Sequence, residues 1–164
     1  GEQLELSFDN KSKICDVQMS QENEVVVVAA SDGEVAVSWY SLNETIVGNS
    51  IQEHGQIINR LNFSPKEDIF VTANEDNTID VWRLNRYTKK IDILNALKGH
   101  QKEITAITFS TDGKFFASGS NDADGEVKLW KLDVKQEVQV ISNVGGSIIL
   151  LSLSDSVQMI GVVI

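Results

Sequence analysis

The chain is poor in the residues that build disulfides, metal sites and kinked backbone. It has one Cys, one Pro and two His in 164 residues. A lone Cys15 excludes an internal disulfide framework and points to a reducing compartment. Beside Ile14 in a strand-like run, Cys15 is expected as a small buried apolar residue, since a reactive thiol needs a basic or partly exposed setting. No Cys-x-x-Cys is present, and His54 and His100 lie a whole repeat apart, so no metal site is expected. Cations are also scarce: 14 Lys and Arg against 24 Asp and Glu leave a net charge of −10. That argues against nucleic acid, where Lys and Arg make the phosphate contacts, and against anionic membranes. No apolar run reaches the roughly 18 residues of a membrane helix. No charged head precedes an apolar stretch, so no secretory signal is visible, although the chain opens in mid-pattern. These absences read as an intracellular, cytoplasmic setting. Helical periodicity is missing, and glycine-rich phosphate loops are too: Gly145-Gly146 lacks the following Lys and helix.

What is present is a repeat. Ser20, Ser64, Ser110 and Ser154 are spaced 44, 46 and 44 residues apart. Each follows an apolar residue: Met19, Phe63, Phe109 or Leu153. Two further columns, Val17, Leu61, Ile107, Leu151 and Ile14, Ile58, Ile104, Ile148, keep the same register, and these aliphatic columns are expected to be buried and to hold neighbouring sheets together. Periods of about 40–45 residues built from short strands mark propeller blades. Strand signals such as Val25-Val26-Val27-Val28 and Ile69-Phe70-Val71-Thr72 dominate, separated by turns such as Asp112-Gly113. The expected fold is all-β: a β-propeller of four-stranded antiparallel blades, incomplete or completed by further chain. Residues 4–8 read as an orphan strand and 14–51, 57–97 and 103–141 as three blades. Residues 147–164 read as a half blade, so 1–164 is expected as a partial propeller. An ending on Gly161-Val162-Val163-Ile164 would expose a flat apolar edge. The ring is therefore expected to be closed by further blades or a second chain, or to be a four-bladed ring lacking one strand.

The second and third units resemble WD-repeat β-propellers. The third reads Gly99-His100, Phe109-Ser110, Asp112-Gly113-Lys114, Ala117-Ser118-Gly119-Ser120 and Val127-Lys128-Leu129-Trp130. The second reads His54, Phe63-Ser64-Pro65, Thr72, Asp76 and Trp82. In this family a hydrogen-bonded set of His, Asp, Ser/Thr and Trp ties the strands of a blade. The resemblance implies the sets His54, Thr72, Asp76, Trp82 and His100, Ser118, Asp124, Trp130. Buried polar groups must be paired, and Trp brings a large apolar body with one N–H donor. The first unit departs from the pattern. Asn10 and Val28 stand where His and Ser/Thr are expected, Asp32 fits, and Trp39 falls one place after the expected position at Ser38. Either a β-bulge re-aims that indole or the blade uses Trp39-Tyr40 differently. The fourth unit has Val144 at the His position.

His, Asp and Ser together also suggest a hydrolytic triad. Here the set recurs once per blade among core strands, whereas catalytic residues occur once, in a pocket. The chain therefore reads as no enzyme, with no cofactor. By resemblance, the loop face would carry the contacts: Ser31, Gln56, Ile57, Asn74, Glu75, Lys102, Glu103, Asn121 and Ala123. Ile57 is either an exposed anchor or the inward start of a strand. Arg83, Arg86, Lys89, Lys90 and Lys98 form a basic cluster that reads as a charged, blunted rim. The expected function is a non-catalytic scaffold that binds a protein or peptide through its loop face. One alternative is the sensor array of a larger signalling ATPase-type protein. Another is a propeller enzyme or small-ligand binder, for which only Asp16 and Arg60 look able to reach the channel.

Overall fold

The computed structural model describes residues 12–20, 24–41, 44–53, 55–121, 125–132, 136–142, 144–154 and 160–164. The first sheet is β1 (Ile14–Ser20), β2 (Val25–Ala30), β3 (Glu34–Ser41) and β4 (Glu44–Glu53). The second is β5 (Ile58–Phe63), β6 (Ile69–Asn74), β7 (Ile79–Asn85) and β8 (Lys90–Leu97). The third is β9 (Ile104–Phe109), β10 (Phe115–Ser120), β11 (Glu126–Lys131) and β12 (Gln136–Ser142). β13 (Leu150–Leu153) and β14 (Ile160–Val163) pair as a fourth, two-stranded sheet. Within each sheet the strands follow chain order, all antiparallel, and no helix occurs among the described residues. This is the all-β, blade-like architecture expected of the repeat, with the sheets not closed into a ring. The strand read at residues 4–8 lies outside the described residues. In the last unit β13 starts at Leu150, later than the expected 147, and residues 155–159 of the expected half blade also lie outside them.

Two of the repeated serines, Ser64 and Ser110, close hairpins. Ser110 Oγ accepts from Phe115 N–H (3.1 Å) and donates to Asp112 Oδ1 (2.7 Å), which in turn accepts from Lys114 N–H (3.1 Å). Ser64 Oγ accepts from Glu67 N–H at 3.2 Å. Both hydroxyls are buried, and each satisfies a turn that would otherwise strand polar backbone.

The core lies between sheets. Val25, Val27, Val37 and Trp39 of the first sheet pack on Ile58, Leu61, Phe70 and Trp82 of the second. Val71, Ala73, Ile79 and Val81 of the second pack on Ile104, Phe109, Phe116 and Trp130 of the third. Ala117, Val127 and Leu129 then meet Ile148, Leu151 and Leu153. Alternate residues of β6 and β7 thus face opposite neighbours, which is why these strands are apolar on both faces. Gly119 permits the last seam: a Cβ there would stand 2.4 Å from Ile148 Cγ2 and 2.7 Å from its Cβ.

The innermost strands are stapled in sequence. Asp16 Oδ2 accepts from Leu61 N–H at 2.9 Å, and Asn62 Oδ1 accepts from Phe109 N–H at 3.1 Å. Thr105 Oγ1 donates to Ile148 O. Each bond carries one sheet onto the next, so β1, β5, β9 and β13 lie side by side.

Two expectations need correction. Ile58, Ile104 and Ile148 are fully buried, but Ile14 is 50% exposed, with Val17 at 47% and Met19 at 60%. In later sheets these columns pack back on the preceding sheet, and β1 has no sheet on that side among the described residues. Cys15, expected buried, is half-buried on the same strand.

Candidate binding face and the hydrogen-bonded sets beneath it

One end of the sheets is built three times alike. Ser31 N–H donates to Lys13 O (2.8 Å), Glu75 N–H to Ile57 O (2.8 Å) and Asn121 N–H to Glu103 O (2.7 Å). Each bond ties the approach to a first strand to the exit of the second. This brings Ser31, Ile57, Glu75, Glu103 and Asn121 to a common edge, with Gln56 and Lys102 exposed beside them. Ile57 is 37% exposed next to a fully buried Ile58. Asn121 bridges two sheets: its Nδ2 donates to Glu103 Oε2 (3.3 Å) and its Oδ1 accepts from Ser147 Oγ (2.6 Å). Asn74 does not belong to this surface. It is fully buried, and its Nδ2 donates to Asp80 Oδ2 (2.6 Å) and Thr78 Oγ1 (3.0 Å). As the last residue of β6 it turns inward to support the hairpin instead of outward to solvent. Ala123 lies outside the described residues. A cleft of about 280 Å³ opens on the same face between the Asp76-Asn77-Thr78 turn and Lys98–Gln101.

Beneath the face sit the polar sets. Trp82 Nε1 donates to Thr72 Oγ1 at 2.9 Å, and Trp130 Nε1 donates to Ser118 Oγ at 2.8 Å. His100 Nε2 stands 2.6 Å from the same Ser118 oxygen. Asp76 is exposed, and its Oδ1 accepts from Thr78 N–H (3.1 Å) and Thr78 Oγ1 (2.5 Å). Its carboxylate therefore caps its own turn, as Asp32 Oδ1 does by accepting from Glu34 N–H at 3.1 Å. The Ser12 hydroxyl first, and then the Glu34 N–H, hold the Asp32 carboxyl below the ordinary Asp range. His54 and Asp124 lie outside the described residues.

Sequence reasoning missed Glu126, Lys128 and Asp80. Glu126 Oε1 stands 3.2 Å from Lys128 Nζ and 3.4 Å from His100 Nδ1. Lys128 and Asp80 are buried and occupy matching places, opposite Ser118 and Thr72. A buried ammonium needs such a carboxylate. The signal was a charge flanked on both sides by apolar residues within a strand: Ile79-Asp80-Val81 and Val127-Lys128-Leu129.

Aromatic ladders run with the sets. Phe70 and Trp82 stack at 5.6 Å with planes 5° apart, and Phe116 and Trp130 at 6.0 Å and 12°. The first sheet has Val26 and Ser38 at these paired places. Its Trp39 pairs with Val25 in an unshifted β2–β3 ladder, while the β3–β4 ladder shifts register between Trp39 and Ser41; the ring faces the second sheet. The buried Trp39 Nε1 has no acceptor among the described residues, and Lys89 Nζ lies 5.5 Å from the ring centre. Of the remaining rim cations, Arg86 pairs with Asp68 at 2.6 Å.

Serially stacked antiparallel sheets, with Trp–hydroxyl bonds recurring at one place of the repeat, define a repeat protein of propeller-blade type. The profile of the WD domain, G-beta repeat, matches residues 46–83 and 91–131. The chain belongs to the WD-repeat family. It is similar to the transcriptional corepressor LEUNIG_HOMOLOG of Arabidopsis thaliana, at 30% identity over 52% of this chain and 10% of that protein. It is also similar to the LEC14B protein of Lithospermum erythrorhizon, at 28% identity over 80% of this chain and 26% of that protein. A component of chromatin assembly factor 1 from Gallus gallus is 21% identical over 84% of this chain and 29% of its own length. The chain thus spans less than a third of each of these relatives.

Proposed function

We propose that this chain is a non-catalytic interaction scaffold that binds a protein or peptide through its loop face. The observation that carries the reading is the common edge itself. Exposed Gln56, Glu75, Lys102, Glu103 and Asn121 share that edge with a partly exposed Ile57, on backbone fixed by the thrice-repeated hydrogen bond. A single apolar anchor within a polar ring on rigid supports is how small contact surfaces concentrate binding energy. The polar sets recur from sheet to sheet, which suits a structural role better than a catalytic one. The names of two relatives, a transcriptional corepressor and a chromatin assembly factor component, describe work done inside the cell and favour an intracellular setting without favouring the cytoplasm. The surplus of carboxylates weighs against nucleic acid and membrane as partners.

Selection of a displayed random-peptide library on the chain tests the reading. Peptides so obtained should lose at least about tenfold in affinity with Ile57→Asp or Lys102→Glu, the scale of one lost anchor. They should bind Lys90→Glu as they bind the parent. Peptides indifferent to both loop-face changes would place the site elsewhere.

A further inference from the structure

The opposite end of the molecule carries a groove that the loop-face reading does not use. It lies between the second and third sheets, flanked by the β5–β6 and β9–β10 turns, and encloses about 490 Å³. Its floor is aliphatic: Ile69, Val81, Leu94 and Leu132. Ile69, Leu94 and Leu132 are only partly buried and are continuous with the core of that seam. Its rim carries Arg83, Lys114 and Lys131 against a single carboxylate, Glu67. Three cations less one anion leave the groove at +2 within a chain of −10. Lys114 lies 3.9 Å from Asp112, a long exposed contact that holds the ammonium weakly. Arg83 makes no ion pair within the described residues and stands exposed at the lip.

Gly113 forms part of the wall and keeps it open. Its φ is +72°, and a Cβ there would come within 2.8 Å of Ser64 Oγ and 3.1 Å of Lys66 Cβ. Any larger residue would push the two turns apart or strain the hairpin.

We propose that this groove docks a short acidic peptide segment, with an aliphatic side chain seated on Ile69, Val81, Leu94 and Leu132 and flanking carboxylates on Arg83, Lys114 and Lys131. The volume is that of a small-ligand pocket, which takes one or two side chains. A guanidinium beside an apolar floor suits a carboxylate that follows an apolar anchor, because Arg presents a planar donor fork. Charge complementarity also selects the partner: a basic peptide would be repelled by the rim, and a neutral one would leave it unmatched. The site stands apart from the loop face, so either can fail alone.

The probes are acetylated pentapeptides of four aspartates around a central Leu, Ile or Val, titrated into the isotopically labelled 164-residue chain. At least one should bind saturably, with methyl shifts confined to Ile69, Val81, Leu94 and Leu132. Arg83→Glu combined with Lys131→Glu should weaken it tenfold or more, as should raising salt from low to about 0.5 M, where Debye screening is strong. Leu94→Ala should weaken it several-fold. Thermal melts identify any variant that has lost its fold, and Lys114→Gln gives a milder second reading of the rim. No saturable binding by any of the three peptides would overturn the proposal. So would equal binding of asparagine counterparts, or shifts centred on Ile57 and Lys102.

Discussion

The first and third sheets share strand order and the backbone bond at the loop end, yet they place their tryptophans on opposite faces. Trp130 looks back to the second sheet, stacks on Phe116 and gives its N–H to Ser118, which His100 also touches. Trp39 looks forward to that same second sheet, beneath Lys89, and its N–H finds no acceptor among the described residues. The two indoles therefore pack on the middle sheet from either side. An offset of one residue along a strand reverses a side chain, so an identical period accommodates two different seams. The third sheet fixes its Trp by polar pairing as well as packing. The first sheet relies on packing and one cation.

The contrast can be tested by substitution. Trp130→Ala should cost about 3–5 kcal/mol in chemical denaturation, because it opens a large cavity in the second seam and removes one of the two partners of Ser118. A cost below about 1 kcal/mol would remove Trp130 from the core. Ser118→Ala should follow at about 1–3 kcal/mol, since it strips the acceptor from the buried indole N–H and the partner from His100 Nε2. If Ser118→Ala melts with the parent, the polar set contributes nothing to stability. Trp39→Phe should cost less than Trp82→Phe by about 1 kcal/mol, the worth of the one hydrogen bond that Trp82 makes to Thr72 and Trp39 lacks. Equal losses would show that both N–H groups are bonded. Lys89→Met should cost about 0.5–1 kcal/mol if the ammonium attracts the ring, and nothing in a Trp39→Leu background. The smallest effect concerns acid. The Ser110 hydroxyl first, then the Lys114 N–H, hold the Asp112 carboxyl below the ordinary Asp range. Its contribution is present above that range and is lost as pH falls through the depressed value. An NMR titration should show this, and Ser110→Ala should raise the midpoint.

The stacked-sheet architecture was legible because strand period and repeat period are properties of sequence. Three aliphatic columns in fixed register foretold Ile58, Ile104 and Ile148 in the seams. They could not foretell Ile14, whose exposure depends on what lies beside β1. The Trp–hydroxyl pairs were legible through the family's pattern. The burial of Asn74 was not, because a polar residue in an expected turn looks solvated until its acceptor, Asp80, is seen to be buried too. Glu126 and Lys128 were overlooked since they sit two apart on one strand, and only the fold sets them against His100 and Ser118. The groove drew no notice for the same reason: its cations come from two separate strands and a turn.

Each sheet is joined to the next by an apolar seam and by side-chain-to-backbone staples, from Asp16 to Leu61, Asn62 to Phe109 and Thr105 to Ile148. Cohesion of this kind is transmitted only between nearest neighbours. Loosening one seam should therefore let amide protons exchange in the two sheets that share it while a more distant one keeps its protection.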